Sequence, residues 1–152
     1  MPRSRTFEPS PIAIIGGVLA IISCFLAWDD VAGLAWNDSF NVPLKFLWDK
    51  NASGGAKLGI PLVVVAGTVA LLSLWRILPA DFLRRLGGLV LLGATALFVV
   101  QLGRRFGWDN LNGNVGVGPY VAGAGGLLAL LAPPGLWPLS RDRPAAPERT
   151  AR

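Results

Sequence analysis

Histidine is absent from this 152-residue chain, and cysteine occurs once, at Cys24. A lone thiol excludes an internal disulfide and any cysteine-cluster metal site. With imidazole missing too, zinc, haem and iron–sulfur ligation lose their usual ligands, and acid–base chemistry loses its commonest carrier. Charge is also scarce: 15% of residues are Asp, Glu, Lys or Arg, against about 25% in an ordinary soluble domain. There is no Ser-His pair, no Gly-Lys-Ser/Thr phosphate loop and no Gly-x-Ser-x-Gly elbow. Residues 113–118 (GNVGVG) are glycine-rich but lack the preceding strand and the spacing of a dinucleotide loop. These absences predict a protein that is not an enzyme and holds neither cofactor nor metal.

What the chain does have is apolar. Hydrophobic residues make up 53%, with 19 Gly and 12 Pro. Both of these are frequent in membrane helices, where neighbouring helices re-satisfy the backbone groups they free. Four apolar runs lie at about 11–28, 60–78, 82–102 and 117–132. A crossing of about 30 Å of hydrocarbon takes roughly 20 residues, and only the fourth run is short, with Gly135, Leu136 and Trp137 expected at the interface beyond it. The expected fold is an all-α membrane four-helix bundle over 11–139, with tails at 1–10 and 140–152, the second of them disordered. Pro11 and Pro61 fall in first helical turns. Pro79 is expected to close the second helix and Asp81 to cap the third, leaving residues 78–81 as a tight helical hairpin.

Orientation follows from the distribution of Lys and Arg. With the N-terminus inside, Arg3, Arg5, Arg76, Arg84, Arg85, Arg141, Arg143, Arg149 and Arg152 are cytoplasmic, and Lys45, Lys50, Lys57, Arg104 and Arg105 are outside. That imbalance predicts an N-in/C-in, multi-pass protein of the inner (plasma) membrane. Topology and anionic headgroups then account for the net charge of +5 without nucleic acid. A cleaved signal peptide or a lipidated Cys24 fits less well, because Phe25-Leu26-Ala27-Trp28 follows where a polar tether should stand. The expected partners are the lipid bilayer and other membrane proteins or further copies of the chain.

Three features qualify as working surfaces. The apolar cores are expected to hold no ionisable group, with Gln101 the most polar residue near one, whereas conduits keep such groups at membrane depth. Small residues at four-residue spacing, Gly16, Ala20 and Cys24 on the first helix and Gly118, Ala122 and Gly126 on the fourth, suit close helix packing or a seam between copies. Tryptophans followed at once by a carboxylate or amide mark the outer loops: Trp28-Asp29, Trp36-Asn37, Trp48-Asp49 and Trp108-Asp109. An aromatic belt explains them together with Trp75 and Trp137 on the inner side, while a surface for a sugar or cationic headgroup is the sharper alternative. Residues 41–50 read as a short interfacial helix with an Asn cap and Pro near its first position.

At Phe25-Leu-Ala-Trp28 and Val115-Gly-Val-Gly-Pro-Tyr120 the chain resembles small four-helix membrane proteins of actinobacteria, most of unknown function. That resemblance implies a bacterial inner-membrane location. The expected role is a non-enzymatic accessory or scaffold component of a membrane or envelope complex. A holin-like pore-forming oligomer and a channel or transporter subunit completed by another chain are the alternatives.

Overall fold

A computed structural model describes residues 10–31, 36–74 and 78–133. Among the described residues the chain is all-helical, with two isolated β-bridges and no strands. Its four principal helices are α1 (Pro11–Ser23), α2 (Gly59–Leu72), α3 (Leu78–Phe106) and α4 (Val117–Leu131). Each packs on two others, α1 on α2 and α4, and α3 on α2 and α4, closing a four-membered ring.

The directions alternate. Ser10 N–H at the start of α1 donates to Ser73 O at the end of α2 (3.0 Å), and Arg84 near the start of α3 reaches Ala132 O at the end of α4 (3.0 Å). At the opposite end, Gly118 N–H in the first turn of α4 donates to Ala27 O beyond α1 (2.7 Å). The result is an up-down-up-down bundle with two chemically different ends.

Close approach of backbones holds the ring together. A Cβ on Gly16 would stand 2.7 Å from Gly125 O, and one on Gly125 would stand 2.5 Å from Gly16 O. Gly88 and Gly126 make the same reciprocal contact between α3 and α4, at 2.8 and 2.9 Å. Small residues therefore line the inside: Ala13, Gly16, Gly17, Ala20 and Ser23 of α1, and Gly118, Ala122, Gly125, Gly126 and Ala129 of α4. Large apolar side chains point the other way, with Ile12, Ile15, Val18, Ile22, Ile60, Val64, Leu71, Leu89, Leu97, Tyr120, Leu127 and Leu131 all exposed. On α1 and α4 this inverts the ordinary soluble pattern, in which Ile, Val and Leu are buried first, while α2 and α3 also bury Leu62, Val69, Leu91 and Leu102.

Helix limits differ from the apolar runs for tertiary reasons. The first run continues to Trp28, but α1 stops at Ser23 because its last carbonyls find partners elsewhere. Trp28 Nε1 donates to Ser23 O (2.8 Å), and Ser39 donates to Cys24 O through both its N–H (3.0 Å) and its hydroxyl (2.9 Å). α3 starts at Leu78, so Pro79 and Asp81 both fall in its first turn, and it continues to Phe106. It ends where Gly107, at φ +90°, adopts the left-handed conformation that favours glycine and donates to Gly103 O (2.9 Å). Among the described residues one helix, spanning Ala80–Phe106, is long and apolar enough to cross a membrane, while the other three principal helices have 13 to 15 residues. Instead of a helix over 41–50 there is a single 3-10 turn, Leu44–Leu47.

Arg84 corrects the expectation of a core empty of charge. It lies inside α3 rather than on a flank, 1% exposed, and its Nη2 serves both Ala132 O and Asp81 Oδ1 (3.3 Å). The tight hairpin expected over 78–81 is absent, because those residues already form the first turn of α3, whereas Trp75, Arg76, Gly135, Leu136, Trp137, residues 1–9 and residues 140–152 lie outside the described residues.

Candidate functional site

Several side chains able to carry chemistry gather at the end of the bundle formed by residues 24–31, 36–58 and 103–118. The chain leaving α1 runs through Trp28, which is fully buried. Its ring covers Gly118, where a Cβ would meet Trp28 Cδ1 at 2.5 Å, and Gly116 N–H donates to Trp28 O (3.2 Å). Phe25-Leu-Ala-Trp28 and Val115-Gly-Val-Gly-Pro-Tyr120 are thus two halves of one junction. The Gly-x-Gly of the second is the seat of the Trp of the first.

From Trp28 an aromatic ladder crosses the cap. Trp28 meets Phe98 of α3 edge-on (4.9 Å between centroids), Phe98 meets Phe46 (5.6 Å), and Phe46 meets Trp36 edge-on (4.7 Å). Such pairs contribute about 0.5–1.5 kcal/mol each beyond their buried area. The 3-10 turn exists to deliver Phe46, fully buried, into this ladder, and Gln101 of α3 fastens it by donating from Nε2 to Leu47 O (3.2 Å). Phe46 is not distinguished by its sequence neighbourhood, and Gln101 stands out there only as the most polar residue near an apolar core. The expected Asn cap is absent: Pro43 precedes the 3-10 turn with no side-chain hydrogen bond, and Asn41 N–H instead donates to Asp38 Oδ1 (3.0 Å) in the turn before it.

Above the ladder sits Arg105, from the last turn of α3. Its guanidinium carbon lies 5.5 Å from the Trp36 ring centre, 6.0 Å from Phe46 and 5.3 Å from Phe106. Three faces around one cation form an aromatic cage. Its Nη1 is buried without a hydrogen-bond partner.

Asp29 is 5% exposed, and its Oδ2 is likewise buried without a partner. The backbone around it is pinned by a bridge to Val115 and by Asp30 N–H donating to Asn114 O (3.1 Å). Burial, reinforced by Asp30 next to it and opposed by Arg105, raises its carboxyl from 3.8 to about 6. The two orphan groups sense each other but form no ion pair.

The remaining outer-loop residues do not join this group. Trp48 and Trp108 are 63% and 58% exposed, and Trp108, just beyond α3, folds back over Gly103 of that helix. Asp49 pairs with Lys45 (3.6 Å) and accepts from Asn51 N–H (3.1 Å), and Asp109 is exposed. The expected outer surface therefore divides: Trp28, Asp29 and Trp36 are internal, while Trp48, Asp49, Trp108 and Asp109 reach its rim. The small-residue stripes also lie inside. Gly16 and Ala20 face Gly125, Cys24 is buried with its thiol on Ala20 O (3.4 Å), Gly118 and Ala122 are buried, and Gly126 faces Gly88.

Among the described residues no three His, Cys, Asp or Glu side chains converge as metal ligands would. None of the family models, curated proteins or solved structures compared with the chain matches it.

Proposed function

We propose that the chain is a multi-pass protein of the inner (plasma) membrane, N-in/C-in, that acts as a non-enzymatic accessory or scaffold component of a membrane or envelope complex. The observation that carries the membrane part is the inverted packing. Glycine and alanine make up most of the buried faces of α1 and α4, while Ile, Val or Leu side chains lie exposed on all four helices. In water such a surface would cost far more than the interior regains. In hydrocarbon it costs nothing, and small residues give the tight helix contacts that membrane bundles rely on.

The three shorter helices reach about 20–23 Å at 1.5 Å per residue. Apolar segments that continue past them, such as residues 24–28 after α1, lengthen the path, and local bilayer thinning absorbs the rest. On this reading Trp48 and Trp108 sit at the outer headgroup level, where an aromatic ring is stable with one side wet.

The scaffold part is supported by where the small residues are used. Their faces are occupied within the chain, which supports the scaffold reading over a pore-forming oligomer built on those stripes. What remains for a partner is the rim of the cap and the lipid-facing helix surfaces. Carbonate extraction of membranes tests the first part: release of the chain into the soluble fraction would sink it. Purification in mild detergent tests the second, with a co-purifying membrane protein expected. A monodisperse, partnerless monomer would overturn that role.

A further inference from the structure

Two features of the capped end do not follow from a scaffold role: a buried carboxylate oxygen and a buried guanidinium nitrogen, close enough to sense each other and each without a partner. Burying a charge without a partner is costly, so an arrangement that keeps two opposite ones apart needs something else to stabilise it. For Arg105 that is the three-ring cage of Trp36, Phe46 and Phe106. For Asp29 nothing comparable is present, and a proton is the one ligand that removes its charge without moving any heavy atom.

The surroundings leave few competing groups. Asp30 adjoins Asp29 in the chain and disfavours its ionisation, and Arg105 is the cation that favours it. Residues 111–116, which pair with the Asp29 backbone, contain no titratable side chain. On the loop over α3, Lys45 is matched by Asp49, and Lys50 Nζ donates to Arg104 O (3.4 Å). The Asp29 backbone is pinned on both sides, whereas the Arg105 side chain is long and lies one residue from the end of its helix. If the two are to meet, Arg105 must do the moving.

We propose that Asp29 and Arg105 form a proton-operated latch on the cap: with Asp29 protonated the guanidinium rests in the aromatic cage, and with Asp29 ionised it leaves the cage to pair with the carboxylate. The cage is the keystone between the loop holding Trp36 and Phe46 and the end of α3. Vacating it loosens the outer loop, so the partner-facing rim responds to the proton concentration on its side. The device does not depend on which side of a membrane that is, nor on the scaffold reading.

The test uses the full chain in mild detergent and follows intrinsic tryptophan fluorescence from pH 4.5 to 8, because a guanidinium on the Trp36 face perturbs its emission. The wild type should show one reversible transition centred near pH 6. Asp29→Asn, close in shape and unable to ionise, should abolish the transition and hold the low-pH signal throughout. Arg105→Gln should abolish it too, with Trp36 emission fixed and independent of pH. A wild-type protein with no transition, or a transition that survives in either variant, overturns the proposal. Should Asp29→Asn fail to fold by circular dichroism, Arg105→Gln decides alone.

Discussion

The indole of Trp28 lies directly over the Cα of Gly118, so close that a methyl group there would stand 2.5 Å from the ring. The same indole donates to Ser23 O and thereby ends α1. One contact thus sets where the first helix stops and where the last begins. Gly118→Ala is expected to destabilise the fold by about 1–3 kcal/mol through overpacking, read as a lower thermal midpoint in detergent. An unchanged midpoint would mean that the junction yields freely.

The inverted packing gives a paired prediction within one helix. Gly88 faces Gly126 O at 2.8 Å, while Gly93, five residues on, has open space where its Cβ would be. Gly88→Ala should therefore separate α3 from α4 and lower stability by about 1–3 kcal/mol. Gly93→Ala should be neutral or raise stability by up to about 1 kcal/mol, since helix propensity alone changes. Equal effects at the two sites would contradict the close approach of α3 and α4.

How much of this was legible in the sequence depends on the kind of signal. The four apolar runs each hold a helix, because hydrophobic length is local information. The stripe of Gly16, Ala20 and Cys24 was visible as spacing, yet its counterpart was not: Gly125 serves α1 and Gly126 serves α3, a division that needs the ring arrangement. Trp28 and Trp36 read as belt residues because a tryptophan beside a carboxylate suits an interface as well as it suits a capped core. Arg84 was hidden for a similar reason. It was counted with the flank, and nothing local says that a bundle end will close over it.

Arg84 carries its own prediction. Its Nη2 reaches Ala132 O, the carbonyl just beyond α4, and Asp81 holds it there. Arg84→Ala removes a charged hydrogen bond to a helix end and leaves a void, at a cost of about 2–4 kcal/mol. Arg84→Met keeps the volume and removes two buried donors that have no partner, so it should cost markedly less. Thermal unfolding of both variants beside the wild type measures the difference. If methionine proves as harmful as alanine, the arginine acts through its hydrogen bond and not through filling space.

Asp29 makes stability depend on pH with a defined sign. Its carboxyl is raised from 3.8 to about 6 in the folded chain, so between those values the folded state binds more protons than the unfolded one. Stability must then fall as pH rises through that window and stay lower above it. At pH 4 the wild type and Asp29→Asn should unfold at nearly the same temperature. At pH 7.5 the variant should be the more stable, by on the order of 2 kcal/mol, since a burial penalty that the amide escapes remains on the carboxylate. The comparison also separates the latch from simple desolvation. With the latch, Arg105→Gln deepens the loss at pH 7.5, because the ionised carboxylate is deprived of the cation that swings to it. Without the latch, Arg105→Gln costs the cage contacts with Trp36, Phe46 and Phe106 at both pH values, and adds at pH 7.5 only the weak pull that the caged guanidinium exerts on the carboxylate.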